Sequence, residues 1–258
     1  MNDDDDKKVS KLLGDAHAQG ALSAKSLATL DVVDVGVQIQ AGLGITIDDI
    51  AASEVVLVTM MPDDSGSIAS AGNKSSVIDG HNFVLEALGT SKQAGEVLAH
   101  TRYLNGHVLT PYTALDHATK MDKRNYDPCL GTPLYDQTCV VLGTVIAKAQ
   151  ELAQAGIAVR TVTLIITDGG DCGSTRCKAG DVKAIIADML AQENHIVAAM
   201  GISDGSTDFT AVFRAMGIPD RWILTPGNSA TEIRRAFAVF SQSAVRASQG
   251  VQLGGFSN

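Results

Sequence analysis

Nearly continuous apolar runs recur along the chain from about residue 54 onward. Residues 55–61 and 162–167 are such runs, rich in β-branched side chains; residues 195–202 read the same way, and 222–224 is a shorter version. Runs without polar alternation predict strands buried on both faces, the pattern of a parallel sheet covered by helices. Between them the period changes to that of a helix. Val77, Val84, Leu85 and Leu88 share one face, and Thr138, Val141, Leu142, Val145, Ala149 and Leu152 line a longer helix that Gly156 closes. Val182, Ile185, Ile186, Met189 and Leu190 predict another helix, and Phe209, Val212, Phe213 and Met216 a short one ended by Gly217 and Pro219. Ser229 and Glu232 form a capping box ahead of a last helix that carries Ile233, Phe237 and Phe240.

One stretch breaks the alternation. "VLAHTRYLNGHVLTPY" places Asn105-Gly106 between two strand-like runs, a strong hairpin signal. The whole pattern predicts an α/β fold, a doubly wound and mostly parallel sheet with one antiparallel edge strand. The first fifty residues are ambiguous. Val33, Val35, Val37, Ile39, Ala41 and Leu43 alternate as a strand would, yet Val35, Ile39 and Leu43 also share a helical face. The expected organisation is an extension over residues 1–50 that packs on a domain of residues 51–248, then a glycine-rich, frayed tail over 249–258.

Composition narrows the function classes. A chain of 258 residues that is 45% apolar and 19% charged is globular in character. Its net charge of -9 leaves no excess of Lys or Arg to displace counterions from nucleic acid or to hold an anionic membrane surface. No apolar run approaches the roughly 20 residues that span a bilayer. The opening "MNDDDDKK" is the opposite of a basic, apolar signal peptide, and fits a native acidic tail and an enteropeptidase cleavage tag equally well. The expected location is cytoplasmic, with the four cysteines reduced.

Three segments converge at the carboxyl ends of the predicted strands, where doubly wound sheets hold ligands. Asp63, Ser65 and Ser67 lie in "MPDDSGSIAS", Thr132 in "GTPL", and Asp168 in "TDGGD". Carboxylates and hydroxyls are hard oxygen donors, suited to Mg²⁺, Mn²⁺ or Ca²⁺ rather than zinc. In this order the three motifs resemble the von Willebrand factor A family and its metal-ion-dependent adhesion site, over roughly residues 51–248. The resemblance implies that Ser65, Ser67 and Thr132 touch a divalent cation, most readily Mg²⁺, and that Asp63 and Asp168 hold it directly or through water. It also implies a non-enzymatic interaction module whose missing ligand is an Asp or Glu of a protein partner. In overall style the chain is similar to the intracellular bacterial members, some of them associated with tellurite resistance and stress operons.

Plainer readings stand beside these. "DDSGS" alone is an ordinary N-cap and turn. Asp64 occupies the variable position of the motif and is expected to face solvent; Asp171 reads as a solvated loop acid. His81 falls on the inner face of its helix and reads as a structural residue, and Cys139 as helix core. Cys129, Cys172 and Cys177 fall in loops at the metal end, where a disulfide would pair Cys172 with Cys177, but a reducing cytosol disfavours it and C-x₄-C is poor zinc spacing. Two rivals remain: a Mg²⁺-dependent phosphohydrolase of haloacid-dehalogenase type, and an assembly scaffold with a vestigial metal site. The first needs a second Asp two residues after Asp63 as general acid, where this chain has Ser65.

Overall fold

A computed structural model describes residues 3–250 and 254–256. Three helices open the chain: α1 (Asp3–Ala18), α2 (Ala24–Leu30) and α3 (Val33–Gly42). The alternating part follows as β1 (Glu54–Met61), α4 (Gly66–Ser70), α5 (Lys74–Gly89), β2 (Val97–Arg102), β3 (Val108–Ala114), α6 (Leu134–Gln154), β4 (Ala158–Thr167), α7 (Ala179–Ala191), β5 (His195–Gly201), α8 (Phe209–Ala215), β6 (Ile223–Leu224) and α9 (Ala230–Ser248). The sheet runs β3-β2-β1-β4-β5-β6, with every pairing parallel except β2 with β3. The hairpin predicted at Asn105-Gly106 is that antiparallel edge, its turn made by Gly106 at φ +94°. Residues 55–61 are buried without interruption, as expected for a strand covered on both faces.

Helices α5 and α9 cover one face, where Gly80 brings the α5 backbone against the ring of Phe237. Helices α6 and α7 cover the other. Helix α6 is buried almost all round, well beyond the single stripe its period predicts, because α1 and α3 lie on its outer side. Helices α1–α3 are therefore a fourth layer, outside α6. Within it the helical reading of residues 33–42 prevails: Val35 and Ile39 are buried, while Val33 of the competing strand pattern is 71% exposed. Much of the tail lies outside the described residues; within it Phe256 packs edge-on against Trp222, with its N–H on the Arg221 carbonyl. No single helix among the described residues is long and apolar enough to cross a membrane.

One local strain stands out. Glu193, just beyond the C-cap of α7, is the single non-glycine residue with positive φ (61°) among those described. Glycine is the usual occupant of that position. Glu193→Gly is expected to raise stability by about 0.5–1 kcal/mol, the relief of left-handed strain less the added freedom of the unfolded chain. A denaturation midpoint equal to or below that of the parent protein would show that the strain is not there.

Candidate metal centre

β1 and β4 pair at the middle of the sheet, and the chain departs from β1 toward β2 on the side away from β4. That is the switch point of a doubly wound sheet, where the loops part and open a crevice. Asp63 follows the end of β1 by two residues, and Asp168 follows β4 directly. The fold thus delivers two carboxylates, separated by about a hundred residues of chain, to one point.

Hydrogen bonds tie four of the five expected residues into a knot. The Ser67 hydroxyl donates to Asp168 Oδ1 (2.6 Å), Ser65 Oγ and Ser67 Oγ are 2.8 Å apart, and the Ser65 N–H donates to Asp63 Oδ1 (2.7 Å). Ser65 occupies the N-cap position of α4, yet its hydroxyl makes no capping bond. The plain capping reading of "DDSGS" therefore does not account for that hydroxyl. Thr167 closes the ring, donating to Asp63 Oδ2 (2.7 Å). Sequence reasoning overlooked Thr167, although it stands beside Asp168 at the end of a strand.

Thr132 comes close by another route. Its backbone exchanges hydrogen bonds with Cys172 (3.0 and 2.8 Å), and the preceding segment pairs with the first loop through the Gly66 N–H on the Leu130 carbonyl (3.0 Å). Its hydroxyl stays outside the knot.

Burial pushes the Asp63 carboxyl above its ordinary range, against the pull of the bonds from Ser65 and Thr167. Asp168 is pushed up to about 6, chiefly by burial; the Ser67 bond opposes this and the Asp63 charge adds to it. Two buried carboxylates whose proton affinity is raised mainly by burial mark a place where a cation would be stabilised. The donor set fits a hard divalent ion. Neighbouring ligands on a Mg²⁺ octahedron are about 3 Å apart for bonds of about 2.1 Å, close to the 2.6–2.8 Å between the side-chain oxygens of Ser65, Ser67 and Asp168. Among the described residues no three His, Cys, Asp or Glu side chains converge, so no soft or all-carboxylate cage competes.

Two expectations are corrected. Asp64 is buried rather than solvent-facing, because the hairpin tip folds over it and Asn105 donates its backbone N–H (3.0 Å) and its side-chain amide (2.8 Å) to Asp64 Oδ1. Asp171 is no solvated acid: it accepts from Ser174 Oγ (2.5 Å) and the Tyr135 N–H (3.1 Å), while Ser174 Oγ accepts from the N–H groups of Tyr135 and Asp136. Together they cap α6, whose own N-cap residue is Pro133 and has no capping side chain. That lack was the available sequence signal. All four cysteines are free, and Cys177 is buried beside Cys139 while Cys172 is exposed. The Asp136 carboxylate turns Cys177 inward by accepting the N–H groups of Thr175 (2.9 Å), Arg176 (3.1 Å) and Cys177 itself (2.6 Å). His81 is structural as expected, buried with Nε2 2.9 Å from Thr101 Oγ1.

Compared by sequence, the chain matches no protein-family model and no curated protein. Compared by structure, it is similar to proximal thread matrix protein 1 of the mussel byssus: TM-score 0.51, 16% identity, 75% of this chain and 49% of that one. A form of the mussel protein described with a zinc-occupied MIDAS motif aligns with TM-score 0.51 at 13% identity, over 76% and 47% of the two chains. The pilus adhesin SpaC of Lactobacillus rhamnosus GG aligns with TM-score 0.53 and 13% identity, over 75% and 30%. The vWF domain of the type V pili tip protein Mfa5 of Porphyromonas gingivalis aligns with TM-score 0.51 and 13% identity, over 80% and 99%. The chain thus spans about half the length of the mussel protein. At such identities the likeness establishes the fold, that of a von Willebrand factor A domain.

Proposed function

We propose that this chain of von Willebrand factor A fold is a non-enzymatic interaction module that holds one divalent cation on Asp63, Ser65, Ser67, Thr132 and Asp168 and uses it to bind an acidic side chain of a protein partner. The observation that carries the reading is the oxygen knot at the switch point, with Asp63 fully buried in it. A bound Mg²⁺ would supply positive charge and exchangeable coordination positions. Ser65, Ser67 and Thr132 would contribute neutral oxygens, leaving more of that charge for a partner's carboxylate than an all-acidic cage would. Asp63, gripped by Thr167 and by the Ser65 N–H, would orient the serine loop. Asp168 would anchor the opposite side through Ser67. The mussel protein with its zinc-occupied MIDAS motif and the pilus adhesin SpaC share this fold and lend support to the reading.

The phosphohydrolase reading has no comparable support. Its general acid would stand at position 65, and the serine there binds Ser67 and carries no proton that is acidic near neutral pH. The scaffold reading separates from the proposal by one property, dependence of partner capture on the metal.

The test is a calorimetric titration of Mg²⁺ and Mn²⁺ into the protein and into Asp168→Ala. One ion per chain is expected for the parent, with affinity at least about a hundredfold lower in the variant, since losing a ligand costs more than losing its supporting partner. The circular dichroism of Asp168→Ala should match the parent, because Asp168 lies beyond the end of its strand. A parent protein that binds neither ion, or a variant that binds equally well, sinks the proposal.

A further inference from the structure

We infer that Asn105 is a positioning residue of this metal face: it holds the Asp64 carboxylate on the β2–β3 hairpin, away from the cation, and fixes the loop that carries Thr132. The inference rests on the metal reading above and concerns a residue that the motif does not include.

Asn105 makes three donations at the rim of the site. Its N–H and side-chain amide both reach Asp64 Oδ1, at 3.0 and 2.8 Å, and the same amide nitrogen reaches the Gly131 carbonyl at 2.7 Å. Both side-chain partners are acceptors, so the orientation of the amide is fixed by its surroundings. Gly131 directly precedes Thr132, and the Asp64 carbonyl accepts the N–H groups of Cys129 (3.0 Å) and Leu130 (3.2 Å) from the same loop. One side chain therefore joins the first metal loop, the second metal loop and the sheet edge.

The hairpin is itself held firmly. The buried Arg102 guanidinium donates to the Gly106 carbonyl (3.0 Å) and to the Gln38 carbonyl of α3. Asn105 thus sits on a turn braced from the amino-terminal layer.

Charge explains why the arrangement matters. Asp63 and Asp168 already give the cation two carboxylates, and Asp64 is the next residue to Asp63. A third carboxylate on the ion would make the site net negative and take the position meant for a partner. No Lys or Arg forms an ion pair with Asp64 among the described residues. With the Asn105 amide gone, only the backbone N–H of residue 105 would still hold Asp64 Oδ1, and the buried carboxylate would turn to the cation as its counter-charge.

The experiment measures Mn²⁺ affinity and water-proton relaxation of bound Mn²⁺ in the parent protein, Asn105→Ala, Asp64→Asn and the double variant. In Asn105→Ala, Mn²⁺ should bind about tenfold tighter, the order expected when one further carboxylate nears a cation in partly screened surroundings. The relaxation signal should fall as Asp64 replaces a metal-bound water. Asp64→Asn should bind within about twofold of the parent, and in its background Asn105→Ala should have no effect. Three results would overturn the inference: unchanged affinity and relaxation in Asn105→Ala, the same gain persisting without the Asp64 charge, or a tenfold loss in Asp64→Asn alone. The last result stands even if Asn105→Ala does not fold. A parent protein that binds no Mn²⁺ overturns the metal reading itself, and this inference with it.

Discussion

Gly44→Ala is expected to cost roughly 2–5 kcal/mol, the sum of left-handed backbone strain and an overpacked contact. Gly44 has φ +64°, and a Cβ built on it would lie 2.0 Å from the Tyr112 carbonyl oxygen. The clash is with backbone, so no side chain can rotate to relieve it. The same close approach lets the Ile45 N–H donate to that carbonyl (2.9 Å), fastening the segment after α3 to edge strand β3. Tyr112 is pinned in turn by its hydroxyl, 2.5 Å from Thr59 Oγ1, and by the His100 ring at 5.0 Å. In a chain of this length the loss corresponds to a melting temperature lower by roughly 5–20 °C. Gly156→Ala is the matched control: its φ is +79° but nothing lies within 4 Å of its Cβ position. It should lose only about 1–2 kcal/mol. Equal losses at the two positions would mean that the contact with Tyr112 is not a tight one.

What the chain disclosed before folding was local. Residues 55–61 are apolar without alternation because both faces are covered, and that needs no knowledge of what covers them. Asp63, Ser65 and Ser67 were legible because their spacing puts them on one loop, and Asp168 because it ends a strong strand. The features that escaped depend on partners far along the chain. Asp64 is buried because Asn105, forty-one residues later, folds over it. Asp171 and Ser174 cap a helix that begins before them in sequence. Cys177 meets Cys139 because Asp136 gathers the backbone around it. Residues 33–43 carried two periods at once, and only the packing of α1, α6 and β3 around them decides between the two. Helix α6 shows the converse effect: its outer apolar face looks redundant until the amino-terminal layer is in place.

The join between that layer and the domain also contains a buried charge cluster, where the second large effect is expected. Lys148 is fully buried; its ammonium donates to the Ile45 carbonyl (2.6 Å) and to Glu151 Oε2 (2.7 Å), and the other Glu151 oxygen lies 2.6 Å from Lys8. Glu151→Leu leaves the Lys148 ammonium with one carbonyl and no counter-charge, and should cost about 3–5 kcal/mol at neutral pH. Losing the bond to Lys8 adds little, because that side chain is 45% exposed. The pH dependence identifies the cause. Burial already lowers the proton affinity of Lys148, and Glu151 is what pulls it back up. Without Glu151 the folded-state value falls further below the ordinary lysine value of about 10.4, so over that interval the unfolded chain binds more protons than the folded one. Stability of Glu151→Leu should therefore rise with pH toward about 10, by at most about 1.4 kcal/mol per pH unit, and fall away as the pH drops toward neutrality. The parent protein should show a shallower rise over the same range. Adding Lys148→Met removes the stranded charge while keeping the volume, so the double variant should recover much of the loss and the extra slope together. Urea denaturation of the three proteins at pH 7, 8.5 and 10 decides the matter. A Glu151→Leu curve parallel to the parent's would mean that Lys148 reaches solvent, and that the two layers are not locked by a buried charge.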